Sequence, residues 1–230
     1  MNHPMSFLTR TSWPIALLLW LAAGHVTAQS SQEVKKPDLV TGENWSYQRI
    51  NLWNNQITER FRQDLQGGVG DHRSVLWTIN FSQDGRRLGS VTREYLDATT
   101  LAFFDPKMEG RHIPLQFPLS PGKHWKFQYK YNPGSSRLTV EQAAVVEGWE
   151  DIKVPAGNFR TLKVVHTGYY HAIENASSWN GRIDEIYWYA PKAKRVVRME
   201  YRDTTWDGSQ WDHWRDELVE MNVSQPSERK

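Results

Sequence analysis

Aromatic, acidic and amide side chains are concentrated near the C-terminus, over residues 201–216. Aromatic rings stack on the apolar faces of sugars, while carboxylates and amides bind hydroxyl groups. This pattern predicts a ligand-binding surface, for which we select six residues: Trp179, Trp206, Trp211, Trp214, Asp207 and Asp212. The alternative is that these rings cover one end of a sheet. Trp211 and Trp214 would face opposite ways on a strand, which predicts that at least one of them lies in the core.

Carboxylate pairs are the other source of chemistry, because glycoside hydrolysis needs two acids about 5–10 Å apart across a cleft. Many combinations are open to the acids in the second half of the chain: Glu147, Glu150, Asp151, Asp184, Glu185, Asp207 and Asp212. No pair stands out by its spacing, so we select no catalytic residue and leave enzymatic activity uncertain, with a non-enzymatic role preferred.

The histidines give no ligand spacing within any one segment. His166 and His171 are five residues apart and would point to opposite faces of a strand. Residues 203–208 start like a calcium loop, but Trp214 stands where that loop needs its bidentate Glu. Although distant histidines could still converge in space, we predict neither a metal site nor a cofactor.

Composition and missing motifs exclude several function classes. The 230 residues contain no Cys, which excludes disulfides, Cys-ligated metals and thiol nucleophiles. The net charge of +2 gives no electrostatic reason to expect nucleic acid as a partner. Nucleophile-elbow, zinc-protease, P-loop and dinucleotide-binding motifs are also missing from the sequence.

An export signal is predicted at the N-terminus. Arg10 precedes the apolar run over residues 13–23, and Val26-Thr27-Ala28 supplies small residues for cleavage after Ala28. The run is shorter than the roughly 20 residues that span a bilayer. We predict a cleaved signal peptide over 1–28, a flexible leader over 29–40, a single β domain over 41–223 and a disordered tail over 224–230. The expected location is the periplasm or the cell exterior, with no transmembrane segment after cleavage.

The elements that would position these side chains are strands. Apolar residues alternate with polar ones over residues 74–81, and further Val-, Trp- and Tyr-rich runs are separated by Gly- and Pro-containing turns. The pattern predicts an all-β fold of roughly ten or more antiparallel strands, either a sandwich or a curved, barrel-like sheet. Residues 56–65 could form a helix or a strand, and we prefer the strand.

Turn chemistry marks the strand ends. Val154-Pro155-Ala156-Gly157-Asn158 predicts a hairpin with a three-residue loop, because Pro presets the turn and Gly accepts a positive φ. Gly67 and Gly68 predict a further turn.

Four segments together resemble a family of exported, mostly uncharacterised bacterial β-rich proteins. They correspond to that family's G-x-x-W-x-Y, F-P-L…G-K-x-W, V-P-A-G-x-F and W-Y-A-P…V motifs, found here at residues 42–47, 117–125, 154–159 and 187–197. The resemblance implies an exported β fold and supplies no catalytic residues. Four motif aromatics, Trp45, Trp125, Phe159 and Trp188, are expected to pack inside. The family usually has Gly shortly before the closing Val, where this chain has Lys192-Ala193-Lys194-Arg195.

The preferred function is non-enzymatic binding of an envelope component, which could be a lipid, a glycan or a partner protein. An apolar cavity would favour a lipid, and an interior filled by side chains would exclude a carrier. One alternative is a polysaccharide-acting enzyme that uses a carboxylate pair beside a Trp platform. Another is an assembly factor of the envelope that pairs a strand edge with a second chain.

Overall fold

The computed structural model describes residues 33–69, 73–82, 85–132 and 134–224. They form one antiparallel sheet of eleven strands, which confirms the predicted fold class. The signal peptide, the first part of the leader (29–32) and the tail from residue 225 lie outside the described residues. The one helix among the described residues is a 3-10 turn of three residues, far too short to cross a membrane.

The strands follow one another with short connections, except on either side of the fifth. They are β1 (Asn44–Asn51), β2 (Gln56–Val69), β3 (Arg73–Phe81), β4 (Arg87–Asp97), β5 (Met108–Gly110), β6 (His124–Tyr131), β7 (Ser136–Val154), β8 (Gly157–Glu174), β9 (Ser177–Ala190), β10 (Arg195–Thr205) and β11 (Gln210–Asn222). The 3-10 turn, Pro191–Ala193, joins β9 to β10.

The sheet has the order β4-β3-β2-β1-β11-β10-β9-β8-β7-β6-β5. The first and last strands are therefore neighbours in its middle, while β4 and β5 form its two edges. No pairing joins these two edges within the described residues, so the sheet stays open. Residues 98–123 connect β4 to β6 and include the edge strand β5, and Leu101, Leu115 and Leu119 from this connection are buried in the main core. The connection therefore covers one face of the sheet.

The four motif aromatics lie in the core as predicted. The exposed fractions are 0% for Trp45, 6% for Trp125, 5% for Phe159 and 6% for Trp188. Burial of each such ring stabilises the fold by a few kcal/mol, about 1.5–3. The indole N–H groups of Trp45 and Trp125 donate to the carbonyl oxygens of Ala193 and Ile113 at 2.8 and 3.1 Å, so their burial leaves no donor unpaired.

Two predicted turns differ in detail from the observed ones. The hairpin at residues 154–157 forms, but Val154 pairs directly with Gly157, so its loop has two residues and not three. Gly67 and Gly68 lie inside β2, where a register shift follows Leu65 and Gly67 has a φ of 147°. Gln66 and Gly67 therefore form a bulge, because an extra residue in one strand needs an unusual backbone angle, and Gly68 pairs in register with Ser74. Residues 56–65 form a strand, as we preferred.

A buried ion pair holds the turn between β9 and β10. The Lys194 ammonium lies 2.5 Å from the Glu43 carboxylate, and the two side chains are 11% and 3% exposed. The same carboxylate accepts hydrogen bonds from the backbone and hydroxyl of Ser224, at 3.1 and 2.6 Å, and from the backbone of Val40, at 3.0 Å. Lys194 has a φ of 57°, which is the left-handed conformation that glycine adopts most easily. The turn thus has Lys in a backbone conformation that is more usual for Gly.

Candidate functional site

A cavity of about 550 Å³ lies between the sheet and the connection 98–123. Its wall is built from the facing sides of β1 to β4, from β9 to β11 and from the connection itself. This volume falls within the range of pockets that hold small ligands, about 300–1,000 Å³. Tyr47, Phe61, Leu101, Tyr187 and Met199 give the cavity an apolar wall.

Charged groups on the β1 and β11 part of the wall are paired with each other. The Arg49 guanidinium donates to both oxygens of Asp216, at 2.8 and 2.9 Å, and to Glu59 at 3.3 Å. It also lies 4.0 Å from the centre of the Trp214 ring. Burial raises the pKa of Asp216 above its ordinary value, although the Arg49 charge opposes that rise.

Arg195 is a buried cation of the wall with a different set of contacts. It is 6% exposed, and its Nη2 donates to the neutral Gln63 amide oxygen at 2.6 Å. Its Nη1 is buried and has no hydrogen-bond partner among the described residues. The guanidinium lies over two rings, 5.0 Å from the centre of Trp45 and 5.8 Å from that of Phe103. Within the described part of the chain, no carboxylate forms an ion pair with it.

Two other acids of the wall, Glu94 and Asp105, are only partly buried. Glu94 accepts a hydrogen bond from Thr78, and Asp105 accepts one from the backbone of Lys107 at 2.9 Å. Because both remain partly hydrated, their charges cost less than that of a fully buried group. Among the described residues of the wall, Arg195 is therefore the deeply buried charge without an opposite partner.

Two histidines and one carboxylate meet beside the cavity. His112 comes from the connection, His166 from β8 and Glu185 from β9. The Glu185 Oε2 atom lies 3.2 Å from His112 Nε2 and 3.5 Å from His166 Nδ1. The His166 side chain is fully buried, Glu185 is 7% exposed and His112 is 20% exposed. His112 lines the cavity, so this cluster lies in its wall.

Neighbouring groups fix the orientation of the cluster. His166 Nε2 lies 2.9 Å from the carbonyl oxygen of Pro114, so this nitrogen must carry a proton and donate it. The Gln142 amide nitrogen donates to Glu185 Oε2 at 2.9 Å. Burial alone would raise the pKa of Glu185, but the facing His112 and His166 imidazoles lower it further than burial raises it. Glu185 is therefore a carboxylate.

Gly168 makes room for the Gln142 side chain. On β8 it pairs with Gln142, and a Cβ atom at this position would lie 2.3 Å from Gln142 Cγ and 2.3 Å from the Glu141 carbonyl oxygen. The absence of a side chain at residue 168 lets Gln142 cross the sheet face toward Glu185. Gly168 thus positions the Gln142 amide.

The four tryptophans of the predicted aromatic surface do not all lie together in the structure. Trp179 and Trp211 pack together, with ring centres 5.7 Å apart, and Trp206 is 81% exposed in the turn between β10 and β11. Trp214 instead stacks on Tyr201, at 5.2 Å, and lines the cavity.

The two acids selected with these rings lie at or near the same turn. Asp207 accepts hydrogen bonds from Thr205 and from the backbone of Ser209, so it stabilises the turn itself. Asp212 is exposed on β11. Of the six residues selected from the sequence, only Trp214 lines the cavity.

The acids considered for catalysis are dispersed. Asp184 and Glu185 are consecutive on β9 and so point to opposite faces, Asp184 toward Arg182 and Arg202. Glu147 pairs with Lys163 at 2.8 Å, Asp151 pairs with Arg160 at 2.9 Å, and Glu150 accepts from the Trp188 indole at 3.0 Å. None of the seven acids lines the cavity.

Sequence reasoning did not single out Arg195 or the combination of His112, His166 and Glu185. Part of this cluster had a usable signal, because His166 and Glu185 are paired residues of the hairpin that turns at Asn175. Counting outward from that turn places them opposite each other. His112 had no such signal, because it is 73 residues from Glu185 and lies on the connection.

Comparisons with known proteins concern the fold. No protein-family profile matches the sequence, and no curated protein does. A solved structure from Bacteroides fragilis, described as a candidate exported protein with a YmcC-like fold, is 13% identical with a TM-score of 0.50, and the match covers 83% of this chain and all (100%) of that one.

Two lipoprotein structures are also similar. One, a candidate lipoprotein of Parabacteroides distasonis, is 12% identical with a TM-score of 0.48 and coverages of 82% and 99%. The other, the hypothetical lipoprotein YmcC of Escherichia coli, is 11% identical with a TM-score of 0.37 and coverages of 81% and 86%. At such low identities only the fold is comparable, and this chain shares its fold with the Bacteroides fragilis protein.

Proposed function

We propose that this chain is an exported, non-enzymatic protein that binds a lipid with an acidic head group in the cavity beneath the connection 98–123. The observation that carries this proposal is a buried arginine, Arg195, which has no acidic partner among the described residues and lies in the wall of a partly apolar cavity. Removal of a charge from water without an opposite partner is costly. An anionic group in the cavity would supply the missing partner.

The rest of the wall suits the apolar part of such a molecule. Phe61, Leu101 and Met199 offer apolar surface on three sides, from β2, the connection and β10. Each buried methylene group of a chain contributes about 0.8 kcal/mol to binding. Acyl-chain burial would therefore supply affinity, and the charge on Arg195 would supply selectivity for an acid.

Two observations support export to the cell envelope. Residues 1–28 carry the basic, apolar and small-residue pattern of a signal peptide. The Bacteroides fragilis protein of the same fold is itself described as a candidate exported protein. The resemblance of the four sequence motifs to exported bacterial proteins agrees with this location.

Native mass spectrometry of the exported protein, purified gently from its own host, tests the proposal. We expect a monomer that carries an additional mass corresponding to an acidic lipid. A neutral lipid would contradict the role of Arg195. A protein that carries no lipid and binds neither palmitate nor lysophosphatidylglycerol would overturn the proposal, while a defined oligomer without lipid would favour the assembly role.

Replacement of Arg195 with glutamine should weaken palmitate binding by about 10- to 100-fold, since a charge-assisted hydrogen bond contributes about 1.5–3 kcal/mol. Fluorescence displacement titrations measure this effect. Hexadecanol has the same chain without the charge, and its affinity should not change. The control variant is Arg160→Gln, which removes an exposed guanidinium outside the cavity wall. Equal palmitate affinity in the Arg195 variant and the wild type would contradict the assignment.

A glycan-binding surface is the second candidate, favoured by the packed Trp179–Trp211 pair and the exposed Trp206. A glycan array with the wild type and the Trp211→Ala variant tests it. A contact with an aromatic ring contributes about 0.5–1.5 kcal/mol. The variant should therefore lose up to about tenfold in glycan affinity. A wild type that binds no glycan on the array would exclude this surface.

A further inference from the structure

We infer that His112, His166 and Glu185 form a binding site for a divalent transition-metal ion in the cavity wall. Each residue offers one ligand atom, and these atoms lie within 4.8 Å of one another. Two imidazoles and one carboxylate suit Zn²⁺ or Fe²⁺, whereas Mg²⁺ and Ca²⁺ prefer oxygen ligands alone. The site stands independently of the lipid proposed above.

Two of the three separations between the ligand atoms fit a tetrahedral shell. Zn²⁺ binds nitrogen and oxygen ligands at about 2.0–2.2 Å, and ligands around such an ion are separated by about 3.4 Å. The Glu185 Oε2 atom lies 3.2 Å from His112 Nε2 and 3.5 Å from His166 Nδ1. These two separations match that value, and the nitrogen atoms of His112 and His166 lie within 4.8 Å of each other.

The tautomer of His166 is also the one that a metal ligand requires. Its Nε2 donates to the Pro114 carbonyl oxygen at 2.9 Å, so in the neutral ring the lone pair is on Nδ1, which faces Glu185. Metal-ligating histidines commonly donate their second nitrogen to a backbone carbonyl in this way. A lone pair that faces a carboxylate is repelled by it unless a cation or a proton lies between them.

Two buried atoms in the cluster have no hydrogen-bond partner among the described residues. They are Nδ1 of His166 and Oε1 of Gln142, whose side chain also donates to Glu185. Buried acceptors are normally paired, so this combination of orphan acceptors and a carboxylate indicates a place for a cation. Rotating the Gln142 amide does not remove the problem, because its oxygen would then face the Glu185 carboxylate.

The cavity provides access to the site. His112 and Tyr187 both line the cavity, and the Tyr187 hydroxyl lies 3.5 Å from His112 Nε2. Three protein ligands leave the fourth position of a tetrahedral ion for water or for a group from the cavity. The site is therefore of the open kind, in contrast to closed structural sites with four protein ligands.

The test is a titration of the tag-free, metal-stripped protein with Zn²⁺ against a chromogenic chelator. We expect one ion per chain, a raised melting temperature and, with Co²⁺ in place of Zn²⁺, the visible absorption of a four-coordinate shell. His112→Gln removes one of three ligands and should weaken Zn²⁺ binding by at least about 10- to 100-fold, the range for loss of a mere outer-shell partner. This variant changes a partly exposed residue of the connection, so it should fold even if a change at the buried His166 does not.

His171→Gln is the matched control, because His171 is exposed on the same strand as His166 and bonds to Asn180. Its Zn²⁺ affinity should equal that of the wild type. A wild type that binds no Zn²⁺ under these conditions would overturn the proposal. Binding that survives in the His112 variant but is lost in the His171 variant would assign the ion to the surface instead.

Discussion

Replacement of Glu43 with alanine should lower the free energy of unfolding by about 3–5 kcal/mol, because it leaves the buried Lys194 ammonium without its carboxylate. The change also removes the acceptor for the backbone and hydroxyl donors of Ser224 and for the backbone donor of Val40. Urea unfolding followed by tryptophan fluorescence measures the loss. Asp151→Ala breaks the exposed pair with Arg160 and should change stability by no more than about 1 kcal/mol.

The contribution of Glu43 to stability should decrease as the pH falls. Burial would raise its pKa, but the hydrogen bonds from Lys194 and Ser224 outweigh burial, and the net pKa lies below the ordinary value of 4.5. A carboxyl group whose pKa is lower in the folded state than in the unfolded state stabilises the folded state at pH values above its unfolded-state pKa. It loses this contribution as the pH falls through the folded-state pKa. The difference between wild type and variant should therefore be full at pH 7 and shrink steadily as the pH falls below 4.5. A difference that grows on acidification would contradict this account.

The Lys194→Gly variant distinguishes the contribution of the ion pair to stability from that of the backbone conformation at residue 194. Glycine should relieve about 1 kcal/mol of strain at the positive φ of residue 194, but it leaves the Glu43 carboxylate buried without a cation. We expect a net loss of stability in this variant. The double variant with Glu43→Ala should be more stable than the sum of the two single changes predicts, and a double-mutant cycle measures that coupling.

Gly168→Ala should lower the free energy of unfolding by about 3 kcal/mol or more, because the added methyl group overlaps with backbone atoms. Its Cβ would lie 2.3 Å from the Glu141 carbonyl oxygen and 2.9 Å from Gln142 Cα, and backbone atoms on a paired strand cannot rotate away. The same change displaces the Gln142 side chain from Glu185, so Zn²⁺ affinity should fall as well. Urea unfolding and the chelator titration measure the two effects.

Gly208→Ala is the control for this substitution. Gly208 has a φ of 87° in an exposed turn, and a Cβ atom there would meet nothing within 4 Å. Its cost is backbone strain alone, about 1–2 kcal/mol. If Gly168→Ala proved no more destabilising than this control, the inference that β7 and β8 lie too close at Gly168 to admit a Cβ atom would be wrong.

Much of the fold could be predicted because the relevant signals are local. Alternation of apolar residues and turn-forming pairs depends on neighbours in sequence, so it predicted the strands and the hairpin after Val154. The burial of Trp45 was expected because it is an aromatic residue of a family motif. The loop length at that hairpin and the role of Gly67 were missed, because bulges and exact turn types depend on how two strands pair.

The candidate site was predicted less well than the fold, for a physical reason. Arg195 and His112 line one cavity, and His112 contacts Glu185, only after the sheet has formed and the connection 98–123 has crossed its face. Aromatic clustering pointed instead to residues 201–216, where Trp206 and Asp207 occupy a turn. Of the six residues selected from the sequence, Trp214 alone lines the cavity. Residue types predicted which side chains could bind a ligand, but the path of the connection 98–123 determines which of them line the cavity.

The neighbouring positions of β1 and β11 govern the order in which the sheet can be completed during synthesis. Arg49 and Asp216, which bond across these strands, are 167 residues apart, so the two sub-sheets β1–β4 and β5–β11 join only when nearly the whole chain has been made. Long-range pairing of this kind slows folding, and the free edge of β1 stays open to wrong partners until then. The last strand to be synthesised is the one that closes this edge.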